Sequence, residues 1–151
     1  MSTLEKALER RQGRRLVFTN GVFDILHAGH VRLLEGARSL GDLLVVGVND
    51  DDSVRRLGKG PERPINQLAD RIAVLEGLRA VDAAVPFSTD TPEVLIETLR
   101  PEVHVKGGDY REEDLPEARL VRSYGGEVVI LPLLEARSTS EIARRIIRVQ
   151  E

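Results

Sequence analysis

Two histidines three residues apart, His27 and His30, close the run TNGVFDILHAGH at residues 19–30. At i and i+3 near a helix start, the two rings share one face. The first turn of a helix offers free N–H groups and the positive end of its dipole, so it draws anions. Neutral or protonated, an imidazole can donate to a phosphate oxygen. The pair therefore describes an anion site that can stabilise charge on a phosphate in transfer. The chain has one other histidine, His104. Zinc needs at least three protein ligands. His104 reads as a strand residue, and no acidic cluster has matching spacing, so no protein-held metal is expected.

Other groups add to this chemistry. Asn20 and Gly21 read as a turn that brings backbone N–H groups to phosphate, and Phe23 reads as core. Asp24 could orient an imidazole, bind Mg²⁺ or hold a substrate hydroxyl; it reads equally well as a turn residue. Of 22 basic residues only Lys6, Lys59 and Lys106 are lysine. Lys59 and Lys106 both lie beside glycines, a setting that suits a compact, mobile point charge. Lys59, in Gly58-Lys59-Gly60, fits a loop that closes on a phosphate. Arg71 lies early in the next helix and could grip a second phosphate through two N–H groups. Arg137-Ser138-Thr139-Ser140 offers hydroxyls and N–H groups at a later helix start, with Ser138 as cap and Thr139 toward a ligand.

Elements that would position these groups are legible in the pattern. Leu16–Thr19 is an apolar run into a turn, and Val31, Leu33, Leu34, Ala37 and Leu40 recur at helical spacing. Leu43–Val48 is a β-branched run of the kind buried on both faces of a sheet. Asn49 and Asp50–Asp52 offer caps for a short helix through Arg56, and Asn66 for a helix over Leu68–Leu78. Strands are expected at Val81–Val85, ending at Pro86, at Val103–Lys106 and at Glu127–Leu131. Helices are expected after Thr91, over Leu115–Tyr124, and over Ser138–Val149 with Ser138 and Glu141 as a capping box. Five β-α units in series predict an α/β fold: a Rossmann-like, doubly wound, five-stranded parallel sheet. Ligands in such sheets sit beyond the carboxyl ends of the strands. The loops 19–30, 49–66, 86–91, 106–114 and 132–140 are those ends, and they hold the histidine pair, Asp24, Lys59, Lys106 and the 137–140 segment, with Arg71 in the helix that follows the second of them.

The 151 residues suffice for one domain, 1–151, with residues 1–13 as a polar N-terminal helix or arm. A net charge of −3 makes no case for nucleic acid or a membrane surface. No apolar run reaches spanning length, and the polar N-terminus is no signal peptide, so a cytoplasmic protein is expected. The absence of cysteine excludes disulfides and thiolate chemistry.

Gly21-Val-Phe-Asp24, His27-Ala-Gly-His30 and Arg137-Ser-Thr-Ser140 together resemble the HxGH nucleotidyltransferase (cytidylyltransferase-like) superfamily. TNGVFDILHAGHVRLLEGAR, GKGPERPINQLADR, VDAAVPFSTDTPEVLIETLRPEVHVKGGDY and GGEVVILPLLEARSTS are most similar to the adenylyltransferase domain of the bifunctional heptose enzyme. The resemblance implies transfer of AMP from ATP to D-glycero-D-manno-heptose 1-phosphate, giving ADP-heptose and pyrophosphate, with Mg²⁺ accompanying the nucleotide. It implies catalytic roles for His27, His30 and Lys59. It implies nucleotide contacts from Asn20, Gly21, Val22, Phe23, Gly107, Asp109, Arg137, Ser138 and Thr139 as well as the histidines, and acceptor contacts from Asp24, Arg71 and Lys106. A homodimer is a family-level expectation. Val22 stands where many relatives have Thr, Ala136 where Gly is common, and Ser140 where Thr is common, while Arg137 is unusual at its place. The kinase half of the bifunctional enzyme has no counterpart in these residues, so a stand-alone transferase, or a transferase domain expressed alone, is expected. Alternatives are a cytidylyltransferase acting on glycerol 3-phosphate or a similar small phosphate, and a non-catalytic nucleotide-binding sensor.

An acceptor phosphate is anionic near neutral pH and needs no strong general base. That agrees with the lack of a carboxylate pair or Ser-His-Asp signature. Positioning and charge stabilisation would carry such a reaction.

Overall fold

A computed structural model of the chain describes residues 2–133 and 138–150. The helices are α1 (Thr3–Arg11), α2 (Ala28–Arg38), α3 (Asp51–Arg56), α4 (Leu68–Glu76), α5 (Glu93–Leu99), α6 (Ala118–Ser123) and α7 (Thr139–Gln150). The strands are β1 (Leu16–Gly21), β2 (Leu43–Asn49), β3 (Ala83–Phe87), β4 (Val103–Gly107) and β5 (Glu127–Leu131). All pair in parallel, in the order β3-β2-β1-β4-β5. This is the expected doubly wound sheet. Of the described helices, none is long and apolar enough to cross a membrane.

Each face carries its own apolar layer. Leu34 and Ala37 of α2 and Leu75 of α4 pack with Val17, Leu44 and Val46 on one side. Ala7 of α1, Leu95, Ile96 and Leu99 of α5 and Val121 of α6 pack with Phe18, Leu43 and Val45 on the other. Alternate residues of β1 and β2 thus feed opposite layers, as the period-two geometry of a strand requires. Every residue of β2 is buried, matching its unbroken apolar run. Gly47 lies against the Phe18 ring, where a Cβ would come within 2.8 Å of Cζ. The N-terminal helix is docked, with Ala7 fully buried and Arg11 paired to Glu102.

Several local expectations are corrected. Pro86 does not end its strand but lies inside β3, opposite Val48. β3 is an edge strand, and a residue without an N–H is tolerated there. The helix expected over Leu115–Tyr124 forms only over Ala118–Ser123, as α6, with a separate 3-10 turn ahead of it at Glu112–Asp114. Neither Asn66 nor Thr91 caps a helix: Gln67 and Pro92 occupy the cap positions without side-chain bonds. Asp50 does cap α3, accepting from Ser53 N–H at 2.8 Å.

His104 lies in β4, as expected. It is fully buried beside Phe18, ring centroids 5.7 Å apart, and its Nε2 meets Glu117 at 3.0 Å. It belongs to the layer that holds α6 on the sheet rather than to the histidine pair.

Candidate active site

The strand order reverses between β1 and β4, where the chain leaves the sheet in opposite directions, so a crevice is expected at their carboxyl ends. Their ladder runs only from Val17–Val103 to Phe18–His104. Beyond it the Thr19 hydroxyl donates to the Val105 carbonyl at 2.8 Å, the last tie before the strands part. A cavity of about 220 Å³ opens above this point. Residues 22–24, the start of α2, the loop carrying Lys59 and Arg63, and the start of α7 line it.

Asn20 and Gly21 are the last residues of β1, not a turn. The turn falls one step later, at Phe23, which takes the left-handed backbone with φ +50°. A bulky side chain there is strained by roughly 1 kcal/mol or more. Burial holds it in place: the Phe23 ring covers Gly21 and meets the His30 ring edge-on, centroids 5.1 Å apart. The Asn20 Oδ1 is buried without a partner among the described residues.

The turn delivers the chain to α2 with His27 at the N-cap and His30 in the first turn. The two rings stack, centroids 3.8 Å apart and 26° from parallel. Gly29 N–H donates to His27 Nδ1 at 3.1 Å, and His27 N–H donates to His30 Nδ1 at 3.4 Å. A ring nitrogen that accepts carries no proton, so each neutral ring keeps its hydrogen on Nε2. The backbone thus sets both tautomers and leaves two Nε2–H donors side by side on a cavity wall.

Burial pushes the His30 pKa down to about 4, aided by the neighbouring His27 and Lys59. Burial also lowers that of His27. Both rings are therefore neutral donors near neutral pH. An unfolded His30 would take up a proton near its ordinary value of 6.5, while the folded protein resists until about 4. The folded state binds fewer protons in that window, so stability is complete above about pH 6.5 and falls as pH drops toward 4. The midpoint temperature followed by calorimetry from pH 4 to 8 should show this slope. His30→Asn should flatten it, and an unchanged slope in that variant would refute the assignment.

Asp24 is 4% exposed and ties the far loop down. Its carboxylate accepts from Ile65 N–H and Asn66 N–H, each at 2.9 Å, and from Arg63 Nη1 at 3.4 Å. Its carbonyl accepts from Asn66 Nδ2 at 2.7 Å. Asn66 is thus a latch for the loop rather than a helix cap. Among the described residues the hydrogen-bond partners of Asp24 are Arg63, Ile65 and Asn66, and neither imidazole is one of them.

Arg71 is corrected most sharply. It is 1% exposed, and its Nε donates to Asn66 carbonyl, its Nη1 to the Val22 and Asn49 carbonyls, and its Nη2 to Asp51, all at 2.7–2.9 Å. Four of its five N–H groups are spent within the protein. It braces the β1 turn, the end of β2 and the starts of α3 and α4, and it is not among the residues that line this cavity.

At α7, Ser138 caps as expected, accepting from Glu141 N–H at 3.1 Å. Glu141 also pairs with Arg144, Arg145 and Arg148. The Thr139 hydroxyl donates to Ile25 carbonyl at 3.1 Å. Its single hydrogen is committed, so it fastens the α7 start to the β1 turn and keeps only acceptor capacity toward a ligand. Arg137 lies outside the described residues. Lys106, Gly107 and Asp109 sit at the end of β4, outside the cavity lining. Lys106 lies over the Tyr110 ring at 5.3 Å, and Gly107 makes room for Leu33 and Leu133, the latter a lining residue.

The cavity adds residues that the sequence reading did not place at the site, among them Val54, Arg63 and Leu133. Arg63 shares the glycine- and proline-rich loop with Lys59, four residues on. That proximity was the available signal, but a loop has no periodicity to say which side chains turn inward.

The cytidylyltransferase-like family model matches residues 18–145, which include most of β1, all of β2 to β5 and every described residue lining the cavity. The chain belongs to the cytidylyltransferase-like family. Among its relatives in that family, a D-beta-D-heptose 1-phosphate adenylyltransferase of Bordetella bronchiseptica is 56% identical over 136 residues, covering 90% of this chain and 84% of its own. The bifunctional protein HldE of Pseudomonas paraeruginosa is 58% identical over 137 residues, 91% of this chain. This cytidylyltransferase-like chain spans 29% of that bifunctional relative's length. Among solved structures, a lipopolysaccharide core biosynthesis protein from Thermoplasma volcanium superposes with a TM-score of 0.66 at 32% identity, covering 81% of this chain and 98% of that one. A pantoate-beta-alanine ligase from Francisella tularensis, 16% identical with a TM-score of 0.59, shares the fold.

Proposed function

We propose that the chain is an adenylyltransferase that moves AMP from ATP to heptose 1-phosphate, forming ADP-heptose and releasing pyrophosphate. The paired Nε2–H donors of His27 and His30 carry this reading. They are neutral, set in tautomer by the backbone, and stand at a helix start beside Lys59. Such fixed donors stabilise charge as it builds on the α-phosphate and need no reorganisation at the moment of reaction. The adenine and heptose assignments rest on the names of the close relatives.

One acceptor phosphate oxygen forms a bond to the α-phosphorus while the bond to the bridging β-phosphate oxygen breaks, and the electron pair leaves with pyrophosphate. No proton need move in that step, which suits histidines that are neutral donors rather than bases. Lys59, on its glycine-flanked loop, closes over the charged oxygens. Asp24 is the one carboxylate among the described lining residues, and three donors already engage it. That donor set fits Mg²⁺ carried in on the nucleotide, held mainly by phosphate oxygens and water. Mg²⁺ would neutralise triphosphate charge. ATP and sugar phosphates place the reaction in the cytoplasm.

The test is pyrophosphate release over a grid of ATP and CTP against heptose 1-phosphate and glycerol 3-phosphate. The expected result is release with ATP and heptose 1-phosphate. Release only with CTP would replace the nucleotide assignment, and nucleotide binding without release would favour a sensor.

A further inference from the structure

Among the described residues that line the cavity, Lys59 and Arg63 are the lysine and the arginine. They serve different ends of it. Lys59 lies close enough to His30 to oppose its protonation. Arg63 stands at Asp24, four residues further along the same loop. Its side chain is only 15% exposed, yet among the described residues its guanidinium makes one long contact, 3.4 Å, to a carboxylate that already accepts two backbone N–H bonds.

The contrast with Arg71 is instructive. Arg71 is buried with four bonds at 2.7–2.9 Å. Arg63 is partly buried, its side chain 15% exposed, and among the described residues it has one long bond. A buried guanidinium is costly unless anions and acceptors complete its donor set. Its remaining N–H groups border an open cavity in which no other described carboxylate lies. A planar fork of donors in that setting matches the oxygens of a phosphate.

We infer that Arg63 is the residue that grips the phosphate of the acceptor, the place the sequence reading gave to Arg71. The inference rests on the transferase function proposed above. In-line transfer brings two phosphates together, with the attacking oxygen and the leaving pyrophosphate on opposite sides of the α-phosphorus. The two ends need separate cations. The histidine pair and Lys59 suit the triphosphate. The Arg63–Asp24 pair suits a phosphate monoester that also carries hydroxyls: the guanidinium takes the phosphate, while the carboxylate repels a polyanion and accepts from a hydroxyl.

The test compares the full chain with Arg63→Gln and Arg63→Lys, measuring pyrophosphate release while ATP and heptose 1-phosphate are varied separately. Arg63→Gln should raise KM for the sugar phosphate about 10- to 100-fold, the loss of a charged phosphate contact. KM for ATP and the melting temperature should stay near wild type. Arg63→Lys should recover part of the loss, since it restores charge without the fork. An equal rise in the ATP KM, or no rise in either, overturns the inference. Calorimetric binding of heptose 1-phosphate to the wild type and to Arg63→Gln, with no turnover required, separates the two ideas. Binding weakened by Arg63→Gln in a protein that releases no pyrophosphate would sink the transferase reading and leave the grip standing. Normal turnover with unaltered binding in Arg63→Gln would do the reverse.

Discussion

A His30→Ala variant is expected to fold and bind ATP while turning over about 10²–10³-fold more slowly, the cost of losing a donor aimed at developing charge. The effect should fall on kcat, since this donor matters most when the α-phosphate carries its greatest charge. Replacing His30 also removes the stacking partner of His27, the acceptor for His27 N–H and the edge contact with Phe23. Part of the loss will therefore come through a misplaced His27. His30→Gln keeps an acceptor and a donor on a longer side chain and should sit between the wild type and His30→Ala. Pyrophosphate release under saturating substrates measures kcat, and a thermal melt confirms the fold. Turnover of His30→Ala within a fewfold of wild type would show that the charge is stabilised elsewhere.

Arg71→Met should lower stability by about 3–5 kcal/mol, the range for breaking a buried, hydrogen-bonded charge pair. For a chain of this length that corresponds to a midpoint roughly 6–20 °C lower. The reason is geometric. The guanidinium joins Val22 of the turn after β1, Asn49 at the end of β2, Asp51 at the start of α3 and Asn66 just before α4. Asp51 also accepts from Leu68 N–H at 3.0 Å, so one carboxylate holds both Arg71 and the first turn of α4. Removing the arginine leaves three carbonyls and this carboxylate short of donors. Arg71→Lys keeps a charge but cannot span three elements and should recover only part. Assayed well below its own midpoint, Arg71→Met should keep a KM for the sugar phosphate near wild type. A normal melting temperature with a raised acceptor KM would restore Arg71 as the phosphate grip and remove Arg63 from that role.

The alternation of strands and helices was legible in the sequence because it depends on neighbours in the chain. Leu43–Val48 is apolar throughout and is buried throughout. Val31, Leu34 and Ala37 repeat at helical spacing, and Leu34 and Ala37 are buried against the sheet. The histidine pair was legible for the same reason: a strand, a turn and a helix start lie within twelve residues, and local geometry alone puts both rings at the cap. Lys59 was legible from its flanking glycines. Identity between relatives then carries the family.

The arginines were not legible. Arg63 and Arg71 are both arginines in the stretch after β2, and nothing in their neighbours separates them. Their roles depend on Asp24, Val22, Asn49 and Asp51, which lie 20 to 49 residues away along the chain. Thr139 does line the cavity, but the bond from its hydroxyl to the Ile25 carbonyl was not legible, because that acceptor lies 114 residues away. Pro86 could remain in a strand only because that strand lies at the sheet edge, a property of the strand order. Phe23 holds a left-handed backbone only because Gly21 and His30 enclose its ring. Sequence by itself thus determined the periodic elements and the donors at the start of α2, since those follow from short-range sterics and hydrogen bonding. Tertiary structure alone decided which cation faces the cavity and which braces it, because that choice is made by contacts between segments distant in the chain.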